Sequence, residues 1–132
     1  MNENKQLIQH VFAELAAGNS KPFTDVLADD VRWTIIGNTK WSRTFAGKAA
    51  VLEELLTPLR AQIDGRIQVT AHRFIAEGDL VVVEATGRST TKHGEPYNNT
   101  YCWIYRLANG KVQELTEYLD TALVEAALGA PV

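Results

Sequence analysis

The chain has one cysteine, one methionine and four prolines among its 132 residues. Cys102 by itself cannot close an internal disulfide, and without a Cys/His cluster no zinc site is expected. Uninterrupted apolar stretches such as Leu80–Val83 fall far short of the roughly 20 residues that a membrane-crossing helix requires. Charge of neither sign dominates: 13 Lys and Arg against 16 Asp and Glu leave a net charge of -3. That balance gives no general attraction to nucleic acid or to an anionic membrane. No repeat, linker or low-complexity segment is visible. Met1–Lys5 is polar and runs directly into a helical pattern, so no signal peptide is expected, and the sequon Asn98-Asn99-Thr100 carries no weight without one. These absences lead to an expectation of one cytoplasmic domain over residues 1–132, large enough for a real core.

What is present is a change of period. Leu7, Ile8, Val11, Phe12 and Leu15 follow helical spacing until Gly18 stops them. Ser20-Lys21-Pro22 opens a second helix, with Pro in the first turn, that runs to about Ala28. Asp29-Asp30 turns the chain into a strand at Val31–Ile36; a polar loop, Gly37–Arg43, carries Trp41, and Thr44-Phe45-Ala46 is a short strand. Gly47 starts a third helix with an apolar stripe of Val51, Leu52, Leu55, Leu56 and Leu59, which Pro58 should kink or end.

After Gly65 the period is two. Strands are expected at Arg66–Ala76, Leu80–Ser89, Tyr97–Leu107 and Lys111–Asp120, with Asn109-Gly110 as a type I′ hairpin turn and a short helix at Thr121–Leu128. Helices first and an antiparallel meander second make an α+β fold. Strands of this length twist and curl, so helices on one face would leave an open cone with a pocket inside.

Glu84 and Glu117 interrupt these apolar strands, and carboxylates are seldom buried without a reason. One face of the Leu80 strand holds Leu80, Val82, Glu84, Thr86 and Arg88; the other holds Val81, Val83, Ala85 and Gly87. We expect Glu84, Thr86, the odd-numbered row Tyr97, Asn99, Tyr101, Trp103 and Tyr105, and the Leu115-Glu117-Leu119 face to share the concave side, with Trp33 as pocket wall. Val83, Ala85, Cys102 and Ile104 would then form an exposed apolar sheet face suited to a homodimer. The bland alternatives are a cross-strand ion pair of Glu84 with Arg88 or Arg73, aromatics that simply fill the core, and Asp120 as a helix cap.

The motif order resembles the ketosteroid-isomerase-like branch of the nuclear transport factor 2-like superfamily. It runs through Ala17-Gly18, Leu27-Ala28-Asp29-Asp30-Val31, Gly47, Gly94-Glu95-Pro96-Tyr97-Asn98, Asn109-Gly110-Lys111-Val112 and Glu117-Tyr118-Leu119-Asp120. The closing block is similar to that of the SnoaL-like polyketide cyclases and limonene-epoxide hydrolases. The resemblance implies a curved antiparallel sheet and three helices around a deep apolar pocket, often in a dimer. It also implies positions for family catalytic groups. The steroid isomerase Asp base falls at Ile35, and the oxyanion donors fall at Val11 and Trp103. The Asp–Arg–Asp set of the epoxide hydrolases falls at Glu84, Thr86 and Glu117. Only the last group keeps carboxylates, and its central Arg is absent.

The chemistry expected from these residues is acid/base work on a small apolar molecule without a cofactor. Glu117 and Glu84 are the catalytic pair, His72 is a third titrating group if it faces inward, and Tyr101, Asn99 and Trp103 are hydrogen-bond donors. Ile35, Thr86 and Leu119 complete the expected lining. Isomerisation, cyclisation and hydrolysis all fit, and a non-catalytic ligand-binding or dimeric association module is the alternative.

Overall fold

A computed structural model describes residues 2–131. Helix α1 (Glu3–Ala16) is capped by Asn2, whose side chain accepts from the Lys5 N–H, and it buries Ile8, Val11 and Phe12. It ends at Gly18, whose φ of +90° lets the N–H groups of Gly18 and Asn19 return to the Leu15 and Glu14 carbonyls. Helix α2 (Lys21–Asp25) is short, with Pro22 in its first turn, and gives way to strand β1 (Leu27–Ile35). Asp29-Asp30 therefore lies inside the strand instead of turning the chain before it. The register with the neighbouring strand shifts between Leu27 and Arg32, and that irregularity absorbs the two exposed carboxylates.

Strand β2 (Thr44–Ala46) pairs with β1 and is followed by α3 (Lys48–Ala50), a π-helical stretch Val51–Leu56, and α4 (Thr57–Gln62). Pro58 does not end this helix. It sits in the first turn of α4, where its missing N–H costs least, and the turn before it widens so that Thr57 N–H reaches back to the Leu52 carbonyl. Val51, Leu55 and Leu56 are buried from this widened segment.

The remaining strands are β3 (Ile63–Glu77), β4 (Leu80–Thr91), β5 (Thr100–Ala108) and β6 (Lys111–Leu119), and α5 (Thr121–Ala127) closes the order. They form one curved, unclosed sheet of six strands in the order β2-β1-β6-β5-β4-β3. Every neighbouring pair is antiparallel except β1 with β6, which run parallel. The expected turn at Asn109-Gly110 is present, with φ of 53° and 73° as a type I′ hairpin requires. Asp120 caps α5 by accepting from the Leu123 N–H.

The parity of β4 is opposite to the expectation. Val81, Val83 and Ala85 are buried on the inner face, while Glu84 and Thr86 are exposed on the outer one. The cause lies in the register: Val83 sits opposite Trp103 and Ala85 opposite Tyr101, and residues paired across a ladder share a face. The small residues of β4 make room for the large rings of β5. Cys102 and Ile104 do lie on the outer face, half-buried, beside Val82, Ile75 and Tyr118. Among the described residues no helix is long and apolar enough to cross a membrane.

Candidate functional site

The concave face and the helices enclose a cavity of about 360 Å³, a size suited to a small organic ligand. Its floor is the centre of the sheet. Glu117 stands there with Ile35 opposite it on β1 and Trp103 opposite it on β5. Trp33, Tyr101 and Tyr105 extend the floor to either side. Phe12, the widened helix residues Leu55 and Leu56, and Val124 and Leu128 at the C-terminal end supply the roof. The C-terminal segment is tied down by two side chains: Trp41 Nε1 donates to the Gly129 carbonyl at 2.8 Å, and Gln62 exchanges hydrogen bonds with Gly129.

Aromatic packing fixes the rings. Tyr101 and Trp103 stack with centroids 4.4 Å apart and planes 13° from parallel, and Phe12 packs on Trp103 at 5.5 Å. Phe23 meets Trp33 edge-on at 5.8 Å.

Glu117 is the only carboxylate in this lining and is 7% exposed. Its Oε1 accepts the Trp33 indole N–H at 2.9 Å, and its Oε2 has no hydrogen-bond partner among the described residues. Burial in apolar surroundings pushes its pKa up to about 7; the Trp33 hydrogen bond and the nearby Trp103 indole counteract only part of that rise. Trp103 is 9% exposed and its Nε1–H, although close enough to favour the charged carboxylate, makes no hydrogen bond with any described residue. That donor is sealed from the cavity and faces the carboxyl group, so Glu117 Oε2 is the open polar atom that a ligand would meet. Burial also raises the pKa of Tyr97, Tyr101 and Tyr105, so these phenols stay neutral around the carboxyl group.

The structure gathers Trp33, Ile35, Tyr101, Trp103, Glu117 and Leu119 at this cavity. It separates Glu84, His72 and Thr86 from it. Glu84 is exposed on the outer face in an ion pair with Arg73, 2.9 Å from Glu84 Oε1, which is one of the bland alternatives. His72 occupies a bulge in β3, where the register with β4 shifts between Ala71 and Arg73, and its Nε2 meets Thr86 Oγ1 at 2.8 Å on the same outer face. The pair of glutamates is thus divided by the sheet. Asn99 is buried, but as a structural staple. Its Nδ2 donates to Tyr97 Oη and the Asp120 carbonyl, and its Oδ1 accepts from the Thr100 and Asp120 N–H groups. No donor is left for a ligand.

Tyr97 and Tyr105, expected on the same odd face as Tyr101 and Trp103, line the cavity with them. Sequence reasoning overlooked Arg60 and Arg66 at the cavity mouth, which no local pattern marks. Among the described residues no cluster of His, Cys, Asp and Glu could hold a metal ion.

Residues 8–115 match the model of the SnoaL-like domain family. Several solved structures share the fold. An NTF2-like protein of unknown function from Burkholderia pseudomallei K96243 is 22% identical, with 98% of this chain and 100% of that one covered at a TM-score of 0.83. A protein assigned as a SnoaL-like polyketide cyclase from Jannaschia sp. CCS1 is 18% identical, with 98% and 93% covered at 0.76. TerC, co-crystallised with polyporic acid, is 22% identical, with 92% and 94% covered at 0.75. A search of curated protein sequences finds no significant match. With the family model spanning most of the chain and the curved sheet and roofed cavity in place, the protein belongs to the SnoaL-like domain family of the NTF2-like superfamily.

Proposed function

We propose that the cavity binds a small, mainly apolar carbonyl compound and that Glu117 moves a proton on it without a cofactor. The observation that carries this reading is a buried carboxyl group with one open oxygen and a pKa of about 7. A group with that pKa is populated both as base and as acid near neutrality, so one residue can take a proton from carbon and return it elsewhere. A lone carboxylate serving both steps suits isomerisation or cyclisation through a carbon acid better than hydrolysis, which needs a second group to hold water. TerC, which shares this fold, was co-crystallised with polyporic acid, an organic molecule.

The test uses 5-nitrobenzisoxazole, a flat neutral carbon acid whose ring opens, with colour, when a base removes its proton. Turnover should rise with pH through a midpoint near 7 and disappear in E117Q. Equal rates for the wild type and E117Q would remove Glu117 from the reading.

We also infer a homodimer through the outer sheet face. Ile75, Val82 and Ile104 are neighbours across β3, β4 and β5, and Ile75 (49% exposed) and Tyr118 (44% exposed) are the large apolar side chains most open to water. Sedimentation velocity should show a dimer that I104E dissociates; a wild-type monomer at all concentrations would end this inference.

A further inference from the structure

The lining of the cavity changes character at its mouth. Its exposed members come from two places, the α1–α2 connection with Gly18 and Ser20, and the α4–β3 junction with Arg60, Gly65 and Arg66. Both charged groups at this rim are arginines, and no acid other than the deeply buried Glu117 belongs to the lining. A chain with a net charge of -3 therefore presents a cationic doorway to its only buried carboxyl group among the lining residues.

Neither arginine is neutralised. Arg60 has no hydrogen bond or ion pair with any described residue. Arg66 reaches from β3 to the end of α1, where its Nη1 donates to the Leu15 carbonyl at 3.3 Å and its guanidinium lies against Gly18. That carbonyl is at the negative end of the helix, which holds the cation in place without a carboxylate. A Cβ at residue 18 would touch the guanidinium carbon at 3.4 Å, an ordinary contact, so glycine is needed there for its φ of +90° and the guanidinium simply packs against it. The remaining guanidinium N–H groups are open to an incoming acceptor.

Building on the cavity as a ligand site, we propose that its ligand is an amphipathic anion. The apolar body and a carbonyl or hydroxyl oxygen enter toward Trp103 and Glu117, and a carboxylate or similar acid group stays at the mouth with Arg60 and Arg66. The arrangement orients the ligand as well as attracting it: an anionic end is repelled from a floor that carries Glu117 and held at a rim that carries two cations. An entirely neutral apolar ligand would have no use for the rim charges.

Two dyes with the same ring system separate the contributions. 8-Anilinonaphthalene-1-sulfonate is anionic, N-phenyl-1-naphthylamine is neutral, and binding of either is read by energy transfer from the tryptophans at the cavity, Trp33, Trp41 and Trp103. The informative quantity is the ratio of the two affinities at low salt. In R60Q and in R66Q the ratio should fall about two- to fivefold each in disfavour of the sulfonate, while the neutral dye binds as in the wild type. High salt should shrink the wild-type ratio in the same direction. A ratio unchanged in both variants, with the neutral dye bound, overturns the anionic ligand and leaves the cavity reading intact. Failure of both dyes to bind the wild-type protein overturns the cavity reading and this proposal together.

Discussion

Trp33 on β1 donates its indole N–H to Glu117 Oε1 on β6 across 2.9 Å, so the carboxyl group at the centre of the sheet is held by a neighbouring strand. This bond favours the charged carboxylate and opposes the burial that drives the group toward its neutral form. Replacing Trp33 with Phe removes the donor and retains an aromatic ring against Phe23. The pKa of Glu117 should then rise above its value of about 7, by roughly 1–2 units, the equivalent of one hydrogen bond to a charged group. Titration of the 13C-labelled glutamate carboxyl resonance reads the shift directly. A midpoint unmoved by W33F would show that the bond does not tune the acid.

The same residue ties stability to pH. Its ordinary pKa of 4.5 rises to about 7 on folding, so between those values the folded protein keeps a proton that the unfolded chain releases. The contribution to stability is fully present below about 4.5, declines as pH rises through 7, and above that leaves the fold about 3 kcal/mol less stable. Glutamine at this position can still accept from Trp33 and carries no charge to desolvate. E117Q should therefore flatten this part of the pH profile and be more stable than the wild type at pH 8.5 by roughly 1–3 kcal/mol. Urea unfolding at pH 5.5 and 8.5 gives the comparison, and parallel behaviour of the two proteins would contradict it.

Asn99 separates a structural role from a chemical one. All of its hydrogen-bonding capacity holds Tyr97, Thr100 and the start of α5 at Asp120. N99A leaves several of these groups without partners and should cost about 2–3 kcal/mol in stability. Its effect on 5-nitrobenzisoxazole turnover, measured where the variant is folded, should be small. A large loss of turnover at unchanged stability would instead make Asn99 a group that acts on the ligand.

Much of this was legible in the residues. The change of period at Gly65, the Asn109-Gly110 turn and the odd-numbered aromatic row on β5 follow from side-chain alternation and turn chemistry, which are local. The parity of β4 was legible as well: Val81, Val83, Ala85 and Gly87 make a wholly apolar face against one that carries Glu84, Thr86 and Arg88, and only the pairing of Glu84 with Glu117 reversed the expectation. The partner strand settles it the same way, because Trp103 and Tyr101 need small neighbours, and Val83 and Ala85 are those neighbours. The bulge at His72 and the parallel pairing of β1 with β6, by contrast, are properties of strand pairs. Arg66 reaches the cavity mouth through a contact with Leu15, 51 residues earlier in the chain, which no local pattern encodes.

Gly87 shows the same packing demand as a prediction. It faces inward on β4, and a Cβ there would lie 3.0 Å from Tyr101 Cε2 and 3.2 Å from Ile67 Cγ2. Its φ is not in the left-handed region, so alanine brings only the steric conflict. Tyr101 cannot give way freely, because its ring is stacked on Trp103 at 4.4 Å. G87A should force the Tyr101–Trp103 stack to shift toward the cavity at a cost of about 1–3 kcal/mol, the range for overpacking a filled core. The displaced rings would narrow the floor beside Glu117, so affinity for N-phenyl-1-naphthylamine should fall along with stability. In the Y101L background, where the ring is gone, adding G87A should cost much less than it does in the wild type, and that coupling distinguishes the clash from a backbone effect. If G87A is as stable as the wild type and binds the neutral dye equally well, the small residues of β4 are not what seats the aromatic floor.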